Sequence, residues 1–194
     1  MDGGGIMFES GFPECLKNEL EIVLKHIDMK NNGTSSDYTE GPCKLLDGSK
    51  IQYPYRIYFN DDEGKYQELN TKEQKLIYHC IFSRSYNGYV REKHLRAILE
   101  EDYPEWCMPY IWRLSAEYIV EIIEMIYKEL KQRDNTLFQT FCQSNPYLFR
   151  YYHSRMISYW NEFYRSYCYK YHDYVGYKLY KECFGYKRSN DFIK

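Results

Sequence analysis

Asn70-Thr-Lys-Glu-Gln-Lys-Leu-Ile-Tyr-His-Cys-Ile-Phe82, followed after three residues by Tyr86-Asn-Gly-Tyr-Val-Arg-Glu-Lys-His-Leu-Arg-Ala-Ile-Leu99, reads as one helix, a stop and a second helix. Asn70 with Glu73, and Thr71 with Gln74, both satisfy the capping-box spacing, so the start is well specified. Leu76, Ile77, Cys80 and Ile81 give the first helix its apolar face. Tyr86-Asn87-Gly88 stops it before Val90, Leu95, Ile98 and Leu99 begin the next. A helical hairpin results.

Working outward, Pro104 and Pro109 bracket a short connection. Ile111, Leu114, Tyr118, Ile119, Ile122, Ile126 and Leu130 then predict one long helix to about Lys131, with Ile119, Ile122 and Ile126 buried. Its outer face, with Arg113, Glu117, Glu121, Glu124 and Lys128, reads as solvated. A short helix is expected near Thr136 to Gln143. Past Asn145-Pro146 an aromatic stripe follows helical spacing, through Tyr152, Met156, Tyr159, Trp160, Phe163 and Tyr167. Asp173 can cap a last helix that ends at Gly185.

Upstream, Asp47-Gly48 between Cys43-Lys-Leu-Leu46 and Lys50-Ile-Gln-Tyr53 is the strongest hairpin signal in the chain. Pro54 limits the second strand to an edge, and Tyr53, Tyr55, Ile57 and Phe59 alternate toward one side. Pro13, Leu16, Leu20, Val23, Leu24 and Ile27 predict an amphipathic helix. The polar run from Lys30 to Gly41 reads as a mobile loop. The expected fold is mainly α: a compact helical bundle or short helical array with one small β-hairpin at about residues 43–59. The expected organisation is a single domain over 1–194, a body at 13–144 with a Tyr-rich basic segment, 145–188, packed on it.

That last segment is the compositional anomaly. Residues 145–194 hold 12 of the 24 tyrosines and 9 Lys/Arg against 4 Asp/Glu, whereas residues 1–144 carry 17 basic and 24 acidic side chains. The chain is electrically split. Seven scattered cysteines, never spaced as C-x-x-C, fit reduced thiols that mostly serve as small core residues. No apolar run approaches the roughly 18 to 20 residues of a membrane span, and Met1-Asp-Gly-Gly-Gly5 lacks the features of a secretory signal. A cytoplasmic location is expected.

The run Asn87 to Leu99 resembles the second helix of a HEAT repeat, with a turn followed by Val-Arg, a small residue and a spaced Leu; the preceding helix fits as its partner. His94 stands where that family prefers Ala, and no second copy follows at a period of roughly 40 residues, so the resemblance covers about thirty residues and implies a helix pair rather than an array. Residues 69–130 also look similar to uncharacterised cytosolic proteins of Gram-positive bacteria. That resemblance carries no activity.

Nucleotide and zinc-hydrolase motifs are missing: there is no Walker loop, G-x-G-x-x-G, G-x-S-x-G or H-E-x-x-H. His79, Cys80, Cys107 and His94 are the metal candidates, but adjacent His79 and Cys80 point about 100° apart on a helix, which suits a tetrahedral site poorly. No metal or cofactor is therefore expected, and His79 and His94 read as neutral imidazoles bordering the core. On the Tyr-rich helix Arg150, Arg155, Ser158, Glu162 and Arg165 fall away from the stripe. Tyr147, Tyr151, Tyr164, Tyr169, Tyr171, Tyr174, Tyr177 and Tyr186 exceed what one small core needs, and Tyr and Arg are enriched at interface hot spots. The leading expectation is a non-enzymatic interaction protein that binds a protein partner, acidic in character, through Arg150, Tyr151, Arg155, Tyr164, Arg165, Lys170 and Lys178. Nucleic-acid binding by the same segment, an enzyme with a Cys/His/carboxylate site, and homo-oligomer formation between acidic body and basic tail stay open.

Overall fold

The computed structural model describes residues 6–28 and 41–187; the loop expected at 30–41 lies, but for Gly41, outside the described residues. The chain divides into two compact units between Tyr110 and Ile111. Residues 1–110 carry 13 basic and 19 acidic side chains, and residues 111–194 carry 13 and 9. Among the described residues the structure is mainly helical with one two-stranded antiparallel ribbon.

In the first unit a 3-10 turn at Glu14–Leu16 leads into α1 (Lys17–Lys25), which buries Leu16, Leu20, Val23 and Ile27. Strands β1 (Cys43–Lys44) and β2 (Lys50–Ile51) pair in the register Cys43 to Ile51. Gly48 holds φ at 91°, a conformation that costs a glycine little. The Asp47 carboxylate accepts the Ser49 N–H at 2.8 Å and closes the turn. Glu105 accepts the Leu46 N–H and ties this ribbon down. Tyr53 stacks on Tyr110 at 4.2 Å and donates its hydroxyl to the Pro109 carbonyl at 2.9 Å. Ile57 and Phe59 are buried as the alternation predicts.

A short helix, α2 (Glu63–Gln67), is capped by Asp62. Helix α3 (Lys72–Phe82) follows, and Thr71 with Gln74, not Asn70 with Glu73, forms its capping box. Every residue of α3 from Leu76 to Phe82 is buried, so it is the central helix of the unit. Asn87 caps α4 (Gly88–Glu100), which packs on α3. Two buried arginines hold the adjoining extended segment. Arg84 donates to the Tyr55 carbonyl at 2.7 Å, and Arg91 to the Ser85 carbonyl at 2.8 Å.

The long helix expected from 111 to 131 is broken. Helix α5 (Met108–Leu114) ends, residues 115–119 turn, and α6 (Val120–Leu130) starts afresh. Ser115 Oγ donates back to the Trp112 carbonyl at 2.6 Å, and the Ser115, Ala116 and Glu117 N–H groups bond three residues back, which tightens and ends the helix. The break changes which residues are core. Arg113 and Glu117, expected on a solvated face, are buried as an ion pair 3.8 Å apart. Ile119 is half-buried, while Ile122 and Ile126 are fully buried as expected.

The second unit is completed by α7 (Thr136–Gln143), α8 (Pro146–Tyr159) and α9 (Val175–Lys178). A π-helical turn at Trp160–Tyr164 extends α8, and another at Leu179–Cys183 extends α9. Trp112 is its centre, edge-on to Phe141 at 5.5 Å and to Tyr152 at 5.0 Å. Helix α6 lies against α9 and its extension. Gly176 sits where α9 meets α8: a Cβ there would lie 2.6 Å from the Tyr174 ring and 2.7 Å from Met156 Sδ. Gly176→Ala should therefore destabilise by about 1–3 kcal/mol through overpacking. A urea midpoint at the wild-type value would show that Met156 swings clear.

Candidate functional site

The π turn decides what the Tyr-rich segment exposes. A tighter helix would keep Tyr152, Met156, Tyr159, Trp160, Phe163 and Tyr167 on one inward stripe, but a turn wound with i to i+5 bonds rotates the residues beyond it. Tyr152, Met156 and Trp160 are buried and Tyr159 is half-buried. Within the turn Phe163 is 50% exposed, and past it Tyr167 is 90% exposed, so the expected stripe ends at Trp160.

Two sets of rings and cations result. Arg155 donates to the Tyr151 hydroxyl at 3.2 Å and the Tyr159 hydroxyl at 2.9 Å. Tyr159 meets Tyr118 and Phe163, each 6.1 Å away, and Tyr118 meets Phe163 at 6.3 Å. In the other set Arg165 lies 5.8 Å over both the buried Trp160 and the exposed Tyr169 ring. Its Nη1 donates to Asn161 at 2.9 Å. Arg150 and Lys170 are exposed and Lys178 half-buried; they stay outside both sets among the described contacts. Tyr164, expected at an interaction border, serves the fold. Its hydroxyl donates to the Tyr118 carbonyl at 2.5 Å and accepts the Val120 N–H at 3.2 Å, which splints the break between α5 and α6. Burial and, against the Val120 bond, the nearby Glu121 and Glu124 carboxylates push its phenol up. Of the other rings counted as surplus, Tyr174 and Tyr177 are buried.

Behind this surface His153 is buried among Phe149, Tyr180 and Tyr186, with Nε2 3.0 Å from the Tyr171 hydroxyl. Burial pushes it down to about 4 from an ordinary 6.5. The unfolded chain then binds a proton that the folded chain refuses, so stability is full above about pH 6.5 and falls as pH drops toward 4. Urea midpoints across that window should fall, and His153→Phe should remove part of the fall. A variant as acid-sensitive as the wild type would assign the loss elsewhere.

The first unit holds a second polar cluster. His79, on α3, and His94, on α4, meet Nδ1 to Nδ1 at 2.8 Å. His94 is buried deeper than a border position, whereas His79, at the wall of a cleft, sits at one. His94 Nε2 lies 3.1 Å from Asp61 Oδ2, and His79 Nε2 lies 3.2 Å from the Tyr66 hydroxyl. Lys93 bridges Asp61 at 2.8 Å and Glu63 at 2.7 Å, and Tyr78 donates to Asp61 at 3.1 Å. Burial pushes the Asp61 carboxyl up, but His94 and Lys93 outweigh it and hold the group well below the usual carboxylate range. Burial, then His94, pushes His79 down to about 3. Tyr66 and His79 open on a cleft of about 440 Å³ that Lys72, Lys75, Glu100 and Glu101 also line. The sequence singles out only the two histidines; Asp61 joins across 33 residues, with no local spacing to announce it.

The buried thiols offer no comparable chemistry. Cys43, Cys80, Cys107, Cys142 and Cys183 are buried. Burial, then Glu105, pushes Cys43 up to about 12; burial, then Glu182, does the same to Cys183. At such values almost no thiolate forms at neutral pH. Among the described residues no three His, Cys, Asp or Glu side chains gather as metal ligands. None of the described helices is long and apolar enough to cross a membrane. No family model matches the chain. No curated protein and no solved structure matches it significantly either.

Proposed function

We propose that the protein is a helical interaction module that binds a protein partner through the ring surface of its second unit. The observation that carries this reading is the exposure of Tyr118, Phe163, Tyr167 and Tyr169, each about half or more open to water, next to Arg155 and Arg165. Rigid aromatic rings beside guanidinium groups are the side chains from which interface hot spots are built. Carboxylates on the partner would complement the exposed Arg165.

Nucleic acid is the second reading, because Arg165 over Tyr169 is also a stacking arrangement for a base. The exposed carboxylates of Glu121, Glu124 and Glu162 in the same unit weigh against a phosphate backbone and favour the protein partner. A photo-crosslinking residue in place of Tyr167 tests both. The expected product is one protein adduct, weakened about tenfold or more by Phe163→Ala or Arg155→Ala. Adducts only to nucleic acid, with affinity falling steeply as salt rises, would overturn the protein reading.

A further inference from the structure

The row Asp61, His94, His79, Tyr66 has one arrangement with both imidazoles neutral that avoids opposed lone pairs and puts the His94 proton beside Asp61. With both imidazoles neutral, His94 keeps its proton on Nε2, facing the Asp61 carboxylate. Its bare Nδ1 accepts from His79 Nδ1–H, and the bare His79 Nε2 accepts the Tyr66 hydroxyl. Every donor then points inward. Tyr66 presents only lone pairs to the cleft.

One added proton, placed on His94 because that imidazole faces the Asp61 carboxylate at 3.1 Å, reverses the His79 end of the row. His94 then carries protons on both nitrogens and donates Nδ1–H to His79 Nδ1. The His79 proton sits on Nε2 and faces the Tyr66 oxygen, so the Tyr66 O–H has to turn outward. The cleft gains a donor and the pair gains a positive charge balanced by Asp61.

We propose that this cleft is a proton-coupled site for a small oxyanion, taken up together with one proton on the His79–His94 pair. The Tyr66 hydroxyl would donate to the anion, and Lys75, whose ammonium lies 6.0 Å over the Tyr66 ring, supplies charge on the same wall. On the rim Lys72 is 3.1 Å from Glu101, and with Glu100 this side repels an anion and confines it beside Tyr66 and Lys75. The groups facing the pair fix the sign. Asp61, with Tyr78 donating to it, and Glu63 favour the added proton; Lys93, bridging both carboxylates, opposes it. A bound anion tips that balance, because ligand and proton each favour the arrangement the other needs. No covalent step is involved: one proton enters from solvent with the anion and leaves with it.

The test uses the whole protein at constant ionic strength, with chloride as background and sulfate or acetate as titrant. Binding is followed by side-chain ¹⁵N resonances of His79 and His94. Affinity should fall about tenfold per pH unit, so about thirtyfold between about pH 6 and about pH 7.5, the slope of one-proton linkage. Saturating anion should move the His79 proton from Nδ1 to Nε2. Binding of sulfate alone assigns a tetrahedral oxyanion such as a phosphate ester; acetate alone assigns a carboxylate. Tyr66→Phe keeps the ring and should lose both the binding and the tautomer change. Equal affinity at the two pH values, an unmoved His79 proton, unchanged binding in Tyr66→Phe, or no binding of either anion would overturn the proposal.

Discussion

A chain cut after Ser144 should leave residues 111–144 unable to fold. The cut removes Phe149 and Tyr152, whose rings meet Trp112, the segment 175–183, which packs on α6, and Phe184, which stacks on Phe138 at 4.9 Å. Each large side chain returned to water costs about 1.5–3 kcal/mol, and several together match the whole stability of an ordinary domain. The fragment should aggregate, or unfold without a cooperative step assignable to α6. Slow amide exchange at Ile122 and Ile126 in a soluble 1–144 fragment would show instead that the remaining helices suffice.

Within the full chain, the largest loss from one substitution is expected at Trp112. Its indole is fully buried and meets three other rings, Phe141, Phe149 and Tyr152, from two helices. Trp112→Ala should cost about 3–5 kcal/mol, the burial lost plus the cavity left. Its loss would also unseat Arg113, which lies 5.5 Å over the Tyr152 ring beside Glu117. Urea unfolding followed at a probe within residues 111–187 reads the change, and a loss under about 1 kcal/mol would mean that the neighbours collapse into the space.

Local chemistry was legible where it closes within a few residues. The Thr71–Gln74 box and the Asp47-Gly48 turn each need only near neighbours, and both form; Tyr86-Asn87-Gly88, read as the stop of the first helix, instead caps the second through Asn87. The break at 115–119 was not legible, because Ser115-Ala-Glu-Tyr118 continues a helical apolar period and is stopped partly by a phenol 46 residues away from Tyr118. That miss propagated: Arg113 and Glu117 looked solvated only on an unbroken helix. The aromatic surface was half legible. Its composition marked the segment, but the exposure of Phe163 and Tyr167 depends on a π turn that the spacing did not announce. The Asp61–His94–His79–Tyr66 row was hidden for the same reason as the break, since its members converge only through tertiary packing.

The splint made by Tyr164 also bears on the order in which the chain is made. Residues 115–119 leave the ribosome well before Tyr164 does, and until then nothing holds the Tyr118 carbonyl and the Val120 N–H in their bent arrangement. During that interval only the Ser115 hydroxyl and the short backbone bonds at 115–117 oppose the helical period from Ile111 to Leu130, and a straight helix would expose Arg113 and Glu117 to water. The two Tyr164 bonds are added to the elbow only when the segment around Tyr164 emerges. A pause in synthesis before Tyr164 would thus prolong that interval, and a pause after it would not.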